Sequence, residues 1–182
     1  MTYYGGTELA DSFRTVRKNT LVIAEEIPEA QFDFRTTDEV RSVAELLSHI
    51  AISASRNHEM HAVNRVTTFE GFDWSTFLEK WKQQELRLRA KSEILGALRQ
   101  TGEEWACWLE GLPEDFLSEQ IQLSPQATPS SKSRFELLIS VKEHEMHHRA
   151  QLMLIQRLLE LVPHLTRERE KMLENLVRAQ TK

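Results

Sequence analysis

The sequence is poor in residues that cross-link or interrupt a chain. Its 182 residues include a single cysteine, Cys107, with six glycines and five prolines. One cysteine excludes an internal disulfide, as is usual for proteins of a reducing compartment. Few glycines and prolines leave long uninterrupted segments, which is typical of an all-helical chain. We therefore predict a cytoplasmic, all-α protein.

The sequence also lacks the signals of several protein classes. No apolar run approaches the roughly 18 to 20 residues of a membrane-spanning helix, and the first residues do not resemble a signal peptide. The net charge of −5 is opposite to the basic surface that general nucleic-acid binding requires. No glycine-rich phosphate loop or serine-hydrolase motif occurs. We expect a small-molecule substrate, with no nucleic acid and no membrane as partner.

Four long helical segments are expected from capping signals and from prolines at segment ends. Helix three should kink near Gly96 or Gly102, and residues 112–133 should form a long loop without strands. The helices should span about residues 8–27, 42–63, 76–111 and 133–162, with capping boxes at Ser42, Thr76 and Ser133. We predict a four-helix bundle over residues 1–162 and a charged helical extension over residues 163–182.

The segment His144-Glu145-Met146-His147-His148 holds three of the seven histidines. Residues four apart on a helix share a face, so His144 and His148 should point the same way. Buried neutral imidazoles need partners for their ring nitrogens, and either hydrogen bonds or a metal ion can provide them. The apolar stripe expected for this helix runs through Leu137, Val141, His144, His148, Ile155 and Leu159.

A third ligand is available in helix two. His49 lies at the flank of that helix's apolar stripe, where it could meet the pair across a bundle. Three neutral nitrogens would leave open positions on the ion, which is the arrangement of catalytic sites. His147 should lie at the helix flank, whereas His58 and His61 should face the surface or a loop.

The same segment also matches H-E-x-x-H, the motif of zinc metalloproteases, with Glu145 as the general base. The longer metzincin motif needs glycine and histidine further on, where this chain has Gln151 and Leu154. These proteases also use a sheet edge to hold a peptide, and no sheet is expected here. A metalloprotease is therefore the less favoured alternative.

Two segments, RSVAELLSHIA at residues 41–51 and EHEMHHRAQLMLIQRLL at residues 143–159, resemble the DinB-like, or YfiT-like, superfamily of metalloenzymes. The connection IPEAQFDFRTTDEVRS and the segment GFDW are also similar, and the resemblance extends over residues 5–160. Ala150 stands where the family commonly has glycine. The resemblance implies a bundle with up-down-down-up connections and a divalent metal, often nickel or zinc, on His49, His144 and His148. It also implies a homodimer and, in some relatives, chemistry that uses a low-molecular-weight thiol.

The leading hypothesis is a metal-dependent transferase or hydrolase that acts on a small molecule. We expect Gln151 to hydrogen-bond one of the ligands, and Glu145 is a candidate base. Two alternatives stay open at this point. The chain could be a metal-stabilised bundle that binds a small molecule or partner without catalysis, or the histidines could form a buried polar cluster without metal.

Overall fold

A computed structural model describes residues 4–180 of the chain. Over this range the chain forms seven α-helices and a two-stranded sheet. None of these helices, over the residues described, combines the length and apolar character needed to cross a membrane. The elements are α1 Gly6–Glu26, α2 Val43–His58, α3 Trp74–Glu85, α4 Lys91–Glu110, α5 Glu114–Ser118, β1 Gln120–Gln122, β2 Ser131–Ser133, α6 Arg134–Leu158 and α7 His164–Gln180.

The predicted four-helix bundle consists of α1, α2, α4 and α6. α1 and α2 lie at opposite corners, because each packs against both α4 and α6. Buried apolar side chains fill the space between the four helices in two clusters, and each helix contributes to both. Representative members are Ile23, Leu47, Leu98 and Leu152 in one cluster and Phe13, Ala54, Trp105 and Leu138 in the other.

Two of the three predicted capping boxes open helices of the bundle. At the start of α2, Glu45 N–H donates to Ser42 Oγ over 3.3 Å, and Ser42 N–H donates to the Glu45 carboxylate over 2.9 Å. The same exchange joins Ser133 and Glu136 before α6. These boxes satisfy backbone donors that have no partner within the helix, so they define where each helix begins.

The prediction of one long third helix is wrong. The segment forms two helices, α3 and α4, separated by residues 86–90. Asp73 rather than Thr76 caps α3, accepting from Thr76 N–H over 3.0 Å. Glu93 accepts from Ala90 N–H over 3.0 Å and begins α4 anew. The break needs neither glycine nor proline, which is why the sequence did not reveal it.

Neither glycine of this segment ends the helix, since α4 runs through Gly96 and Gly102, and a kink at either residue stays a prediction. Gly102 instead provides space for Arg17 of α1. A Cβ atom at residue 102 would lie only 2.8 Å from Cγ of Arg17. This glycine therefore serves close packing of α1 on α4.

The predicted loop over residues 112–133 is more ordered than expected. It contains α5 and the antiparallel pair β1 and β2, in which Ile121 faces Lys132. Ile121 is fully buried, and burial of its side chain holds this small sheet against the bundle. The expectation of no sheet was therefore wrong. Such short strands leave little periodic signal in a sequence.

The charged helix expected after Pro163 is present as α7. It touches the bundle mainly through α1 and leaves most of its side chains exposed. Residues 181 and 182 of the predicted extension lie outside the described range. The division of the chain into domains at residue 163 stays a prediction.

Candidate metal centre

Three histidines from α2 and α6 meet at one point. His49 Nε2 lies 3.1 Å from His144 Nε2, and His148 Nε2 lies 3.1 Å from the same atom. All three ligand atoms lie within 4.8 Å of one another. The structure thus brings together the three residues that the sequence selected.

The spacing of these nitrogens fits a single divalent ion. Two nitrogens that each lie about 2.1 Å from one ion are about 3.0 to 3.4 Å apart when the angle between the bonds is 90 to 110°. The two separations of 3.1 Å fall in this interval. Three imidazole nitrogens are also a donor set that zinc and nickel accept.

The outer ring nitrogens have partners that set the orientation of the rings. Glu85, the last residue of α3, lies 2.8 Å from His49 Nδ1. A carboxylate can only accept, so Nδ1 carries the hydrogen and Nε2 keeps its lone pair. Gln151 Oε1 lies 2.8 Å from His148 Nδ1 and has the same effect. Ser53 Oγ lies 3.4 Å from His144 Nδ1.

The surroundings also favour the neutral form of the two histidines on α6. Burial, with the neighbouring His148, His49 and Arg56, lowers the pKa of His144 to about 3. Burial lowers the pKa of His148 as well, and the hydrogen bond that His148 donates to Gln151 opposes this change. The neutral rings of His144 and His148 can offer a nitrogen lone pair to a cation.

Glu145, the candidate base, is placed elsewhere. The residue is 2% exposed, and its carboxylate is bound by the guanidinium of Arg17, at 2.9 Å from Nη2 and 3.0 Å from Nε. Arg17 also donates to the carbonyl of Leu98 over 2.6 Å. This pair crosses the core between α1 and α6. The structure therefore does not bring Glu145 to the histidines.

The burial of α6 explains this placement. Its buried face runs through Leu138, Val141, Glu145 and Leu152, whereas Leu137 and Leu159 of the expected stripe are only partly buried. Glu145 lies about 100° around the helix from His144. Glu145 thus occupies the centre of the buried face, and the histidines occupy its edge. An ion-paired glutamate in the core also argues against the metalloprotease alternative, in which Glu145 must face the metal.

Two partners escaped the sequence analysis. The predicted third helix runs through Glu85, so the sequence did not mark this residue as the end of a helix or as a neighbour of His49. Arg17 left a signal that could have been used, because it is a charged residue on the mostly apolar face of α1, together with Phe13 and Ala24. A charge on such a face requires a buried counter-charge.

The other histidines are not members of the ligand cluster. His147 is exposed at the helix flank, as predicted, with Nε2 3.3 Å from Gln151 Nε2. The prediction for His61 is wrong: its side chain is buried and accepts from Arg134 over 3.0 Å. The π-helical turn Glu59–Val63, which continues α2, turns this residue inward.

Solved structures support the fold. YfiT from Bacillus subtilis, described as a probable metal-dependent hydrolase with an unusual four-helix bundle topology, gives a TM-score of 0.68 at 15% identity, covering 88% of this chain and 91% of YfiT. A Streptococcus pneumoniae protein gives a TM-score of 0.64 at 18% identity, covering 86% of this chain and 93% of that protein. An uncharacterised protein from Clostridium difficile 630 gives a TM-score of 0.62 at 15% identity, covering 86% of this chain and 98% of that protein.

No curated protein sequence matches the chain. The family model of the DinB family does match, over residues 1–174. This match covers nearly the whole sequence and includes both helices that carry the histidines. The chain therefore belongs to the DinB family.

Proposed function

We propose that this chain is an enzyme that uses one divalent metal ion, zinc or nickel, held by His49, His144 and His148. The observation that carries the proposal is the convergence of three Nε2 atoms at ligand spacing. The hydrogen bonds of Glu85 and Gln151 to the outer nitrogens support it, since histidine ligands of metals usually donate their other N–H to such groups.

We further propose that the reaction is hydrolysis or thiol transfer on a small molecule. When bound, a divalent ion on three nitrogens acts as a Lewis acid and lowers the pKa of a water or thiol at an open position. Glu85 and Gln151 hold the rings so that their lone pairs face one point. The description of YfiT as a probable metal-dependent hydrolase supports the hydrolytic form. A low-molecular-weight thiol as co-substrate rests on the family resemblance alone.

Metal analysis of protein purified without a histidine tag or chelating column tests the first proposal. We expect about one divalent ion per chain in the wild type and almost none in His49→Ala. His58→Ala is the matched control, because His58 ends the same helix but packs edge-to-face against Trp108. A wild-type protein without bound metal after incubation with zinc and nickel salts contradicts the proposal.

Turnover separates the enzyme from the non-catalytic alternative. Metal-loaded protein is assayed with small esters and amides, and with electrophiles in the presence of small thiols. Activity that disappears in His49→Ala supports the enzyme. Stable metal binding without turnover on any of these compounds favours a binding bundle.

We also propose that the chain forms a homodimer. Four apolar residues of α7 are exposed on the single chain, namely Met172, Leu173, Leu176 and Val177. Their spacing forms one stripe along the helix. The charged residues of α7 are of both signs and nearly balanced, so two copies of the helix could pair without strong repulsion.

A further inference from the structure

Two arginines lie beside the histidine cluster. Arg56 follows His49 by two helical turns on α2, and its Nη2 donates to Ser53 Oγ over 3.5 Å. Ser53 Oγ in turn lies 3.4 Å from His144 Nδ1. Arg41 directly precedes the cap of α2. Positive charge is therefore held on either end of the helix segment that carries His49.

Both arginines line cavities that reach the histidines. A cavity of about 260 Å³ lies between α2 and α3 and is lined by Arg41, Arg56, His49 and Trp81, among others. A second cavity of about 710 Å³ is lined by Arg41 and His148, with Leu46 and Ile155 as apolar wall. Arg41 borders both spaces. A small molecule in either cavity would meet a guanidinium and a histidine ligand together.

These guanidinium groups lack a salt bridge in the described part of the chain. Among residues 4–180, neither Arg41 nor Arg56 forms an ion pair, whereas Arg14, Arg17, Arg35, Arg99, Arg134 and Arg167 all do. The two carboxylates that line the smaller cavity are already engaged: Glu85 binds His49, and Glu79 accepts from Gln83 over 2.6 Å. Glu39 lines the larger cavity with Arg41. Burial, together with Arg41, lowers the pKa of Arg56, and Glu85 opposes this change.

The same cavity has a further unused donor. The indole Nε1 of Trp81 is buried and has no acceptor among the described residues. Two guanidinium groups and an indole N–H give this space an excess of donors over acceptors. Arg56 is partly buried, whereas Arg41 is exposed. The partly buried charge of Arg56 without an ion pair is unfavourable, and a bound anion would remove that cost.

We propose that Arg41 and Arg56 bind a negatively charged group of the substrate, a carboxylate or a phosphate, while its reacting atom lies at the three histidines. The inference rests on the proposed metal site and names the class of molecule that site takes. Guanidinium groups bind both anions with two parallel hydrogen bonds. The substrate is then a small organic anion whose charged group lies a few bonds from the atom that reacts.

Three thiols of equal length provide the test. Mercaptoacetate carries a carboxylate, 2-mercaptoethanol a neutral hydroxyl and cysteamine an ammonium group. The full chain is loaded with cobalt(II), and binding of each thiol is followed by the thiolate-to-cobalt absorption band. Because the thiols differ in pKa, the affinity of each is compared between variant and wild type. Inorganic thiophosphate, measured in the same way, distinguishes a preference for phosphate from one for carboxylate.

We expect Arg56→Gln and Arg41→Gln each to weaken mercaptoacetate or thiophosphate about ten-fold, as loss of a charged hydrogen bond does. Binding of 2-mercaptoethanol should change less than two-fold, and cysteamine should bind more tightly to the variants. Arg169→Gln on the exposed part of α7 is the matched control and should change none of these affinities. Arg56→Lys, which keeps the charge, should retain part of the preference and guards against a folding defect in Arg56→Gln.

Failure of the inference differs from failure of the metal site. If cobalt binds and 2-mercaptoethanol gives the band, but the arginine variants weaken all thiols equally or none of them, the inference is wrong and the metal site stands. If the chain takes up no cobalt, or if His49→Ala keeps the same band, the metal site itself is refuted, and the inference falls with it.

Discussion

Glu85 accepts a hydrogen bond from Nδ1 of His49 over 2.8 Å, although the two residues belong to different helices. Glu85 is the last residue of α3, and the chain leaves the helix immediately after it. The break between α3 and α4 therefore positions the carboxylate beside the ring. This contact gives His49 a single tautomer and directs its Nε2 towards His144.

Replacing Glu85 should weaken the metal site without emptying it. Glu85→Gln removes a charged acceptor behind a ligand, and such changes typically cost about 10- to 100-fold in metal affinity. Zinc affinity is measured by competition with a coloured chelator. Glu79→Gln, one and a half turns earlier on α3, makes the same charge change without touching His49 and should have a much smaller effect. Equal effects of the two variants would mean that only long-range charge matters.

The identity of the ligand pair on α6 can be tested by two neighbouring variants. His148→Ala should abolish tight metal binding, since His148 Nε2 lies at the point where the rings meet. His147→Ala should leave metal content unchanged, because that ring is exposed and contacts Gln151. The readout is metal per chain after gel filtration. The reverse pattern would show that His147 is the ligand.

The buried pair of Arg17 and Glu145 should matter for stability rather than for metal binding. Glu145→Ala leaves the Arg17 guanidinium buried and uncompensated, and we expect a loss of about 3 to 5 kcal/mol in the free energy of unfolding. The double replacement of Arg17 by Met and Glu145 by Leu should recover much of it. Urea unfolding measures both. A stable Glu145→Ala protein that binds metal but loses all turnover would instead favour a catalytic base.

His61 should make the protein less stable in mild acid. Burial and the adjacent Arg134 lower the pKa of His61 to about 4, below its ordinary 6.5. The unfolded chain therefore takes up the proton first, so the stabilisation is complete above about pH 6.5 and is lost as the pH falls towards 4. Complete loss of this stabilisation lowers the free energy of unfolding by roughly 3 kcal/mol.

Urea unfolding at pH 7 and pH 5 measures this dependence. His61→Gln keeps an acceptor for Arg134 but cannot titrate, so the stability of this variant should fall less between the two pH values. His147→Gln, an exposed control, should follow the wild type. An equal loss of stability between pH 7 and pH 5 in the wild type and in His61→Gln would contradict the role given to His61.

The proposed dimer predicts a change of mass when the exposed stripe of α7 is made polar. Light scattering at micromolar concentration should give twice the chain mass for the wild type. Replacing Leu173 and Leu176 by Glu should give a monomer with unchanged helical content. Val63→Glu, at another exposed apolar residue, should leave the dimer intact. A monomeric wild type refutes the proposal.

Local sequence determined much of the fold. The capping boxes at Ser42 and Ser133 define the starts of α2 and α6, and scarce glycine and proline allow both helices to continue past their histidines. The four-residue spacing of His144 and His148 then follows from helix geometry. The sequence therefore named all three members of the histidine cluster, and their binding of a metal stays a prediction.

Tertiary structure alone decided what surrounds the cluster. The sequence of α6 alone cannot show that Glu145 pairs with Arg17 across the core. This ion pair allows a carboxylate to lie at the centre of the buried face of α6. The histidines consequently lie at the edge of that face. The break before α4 depends on Glu93 and on packing of residues 86–90 rather than on a breaking residue. Because α3 ends at Glu85, its carboxylate lies beside Nδ1 of His49. Such a contact between distant segments follows from how the helices pack, and no local pattern in the sequence indicates it.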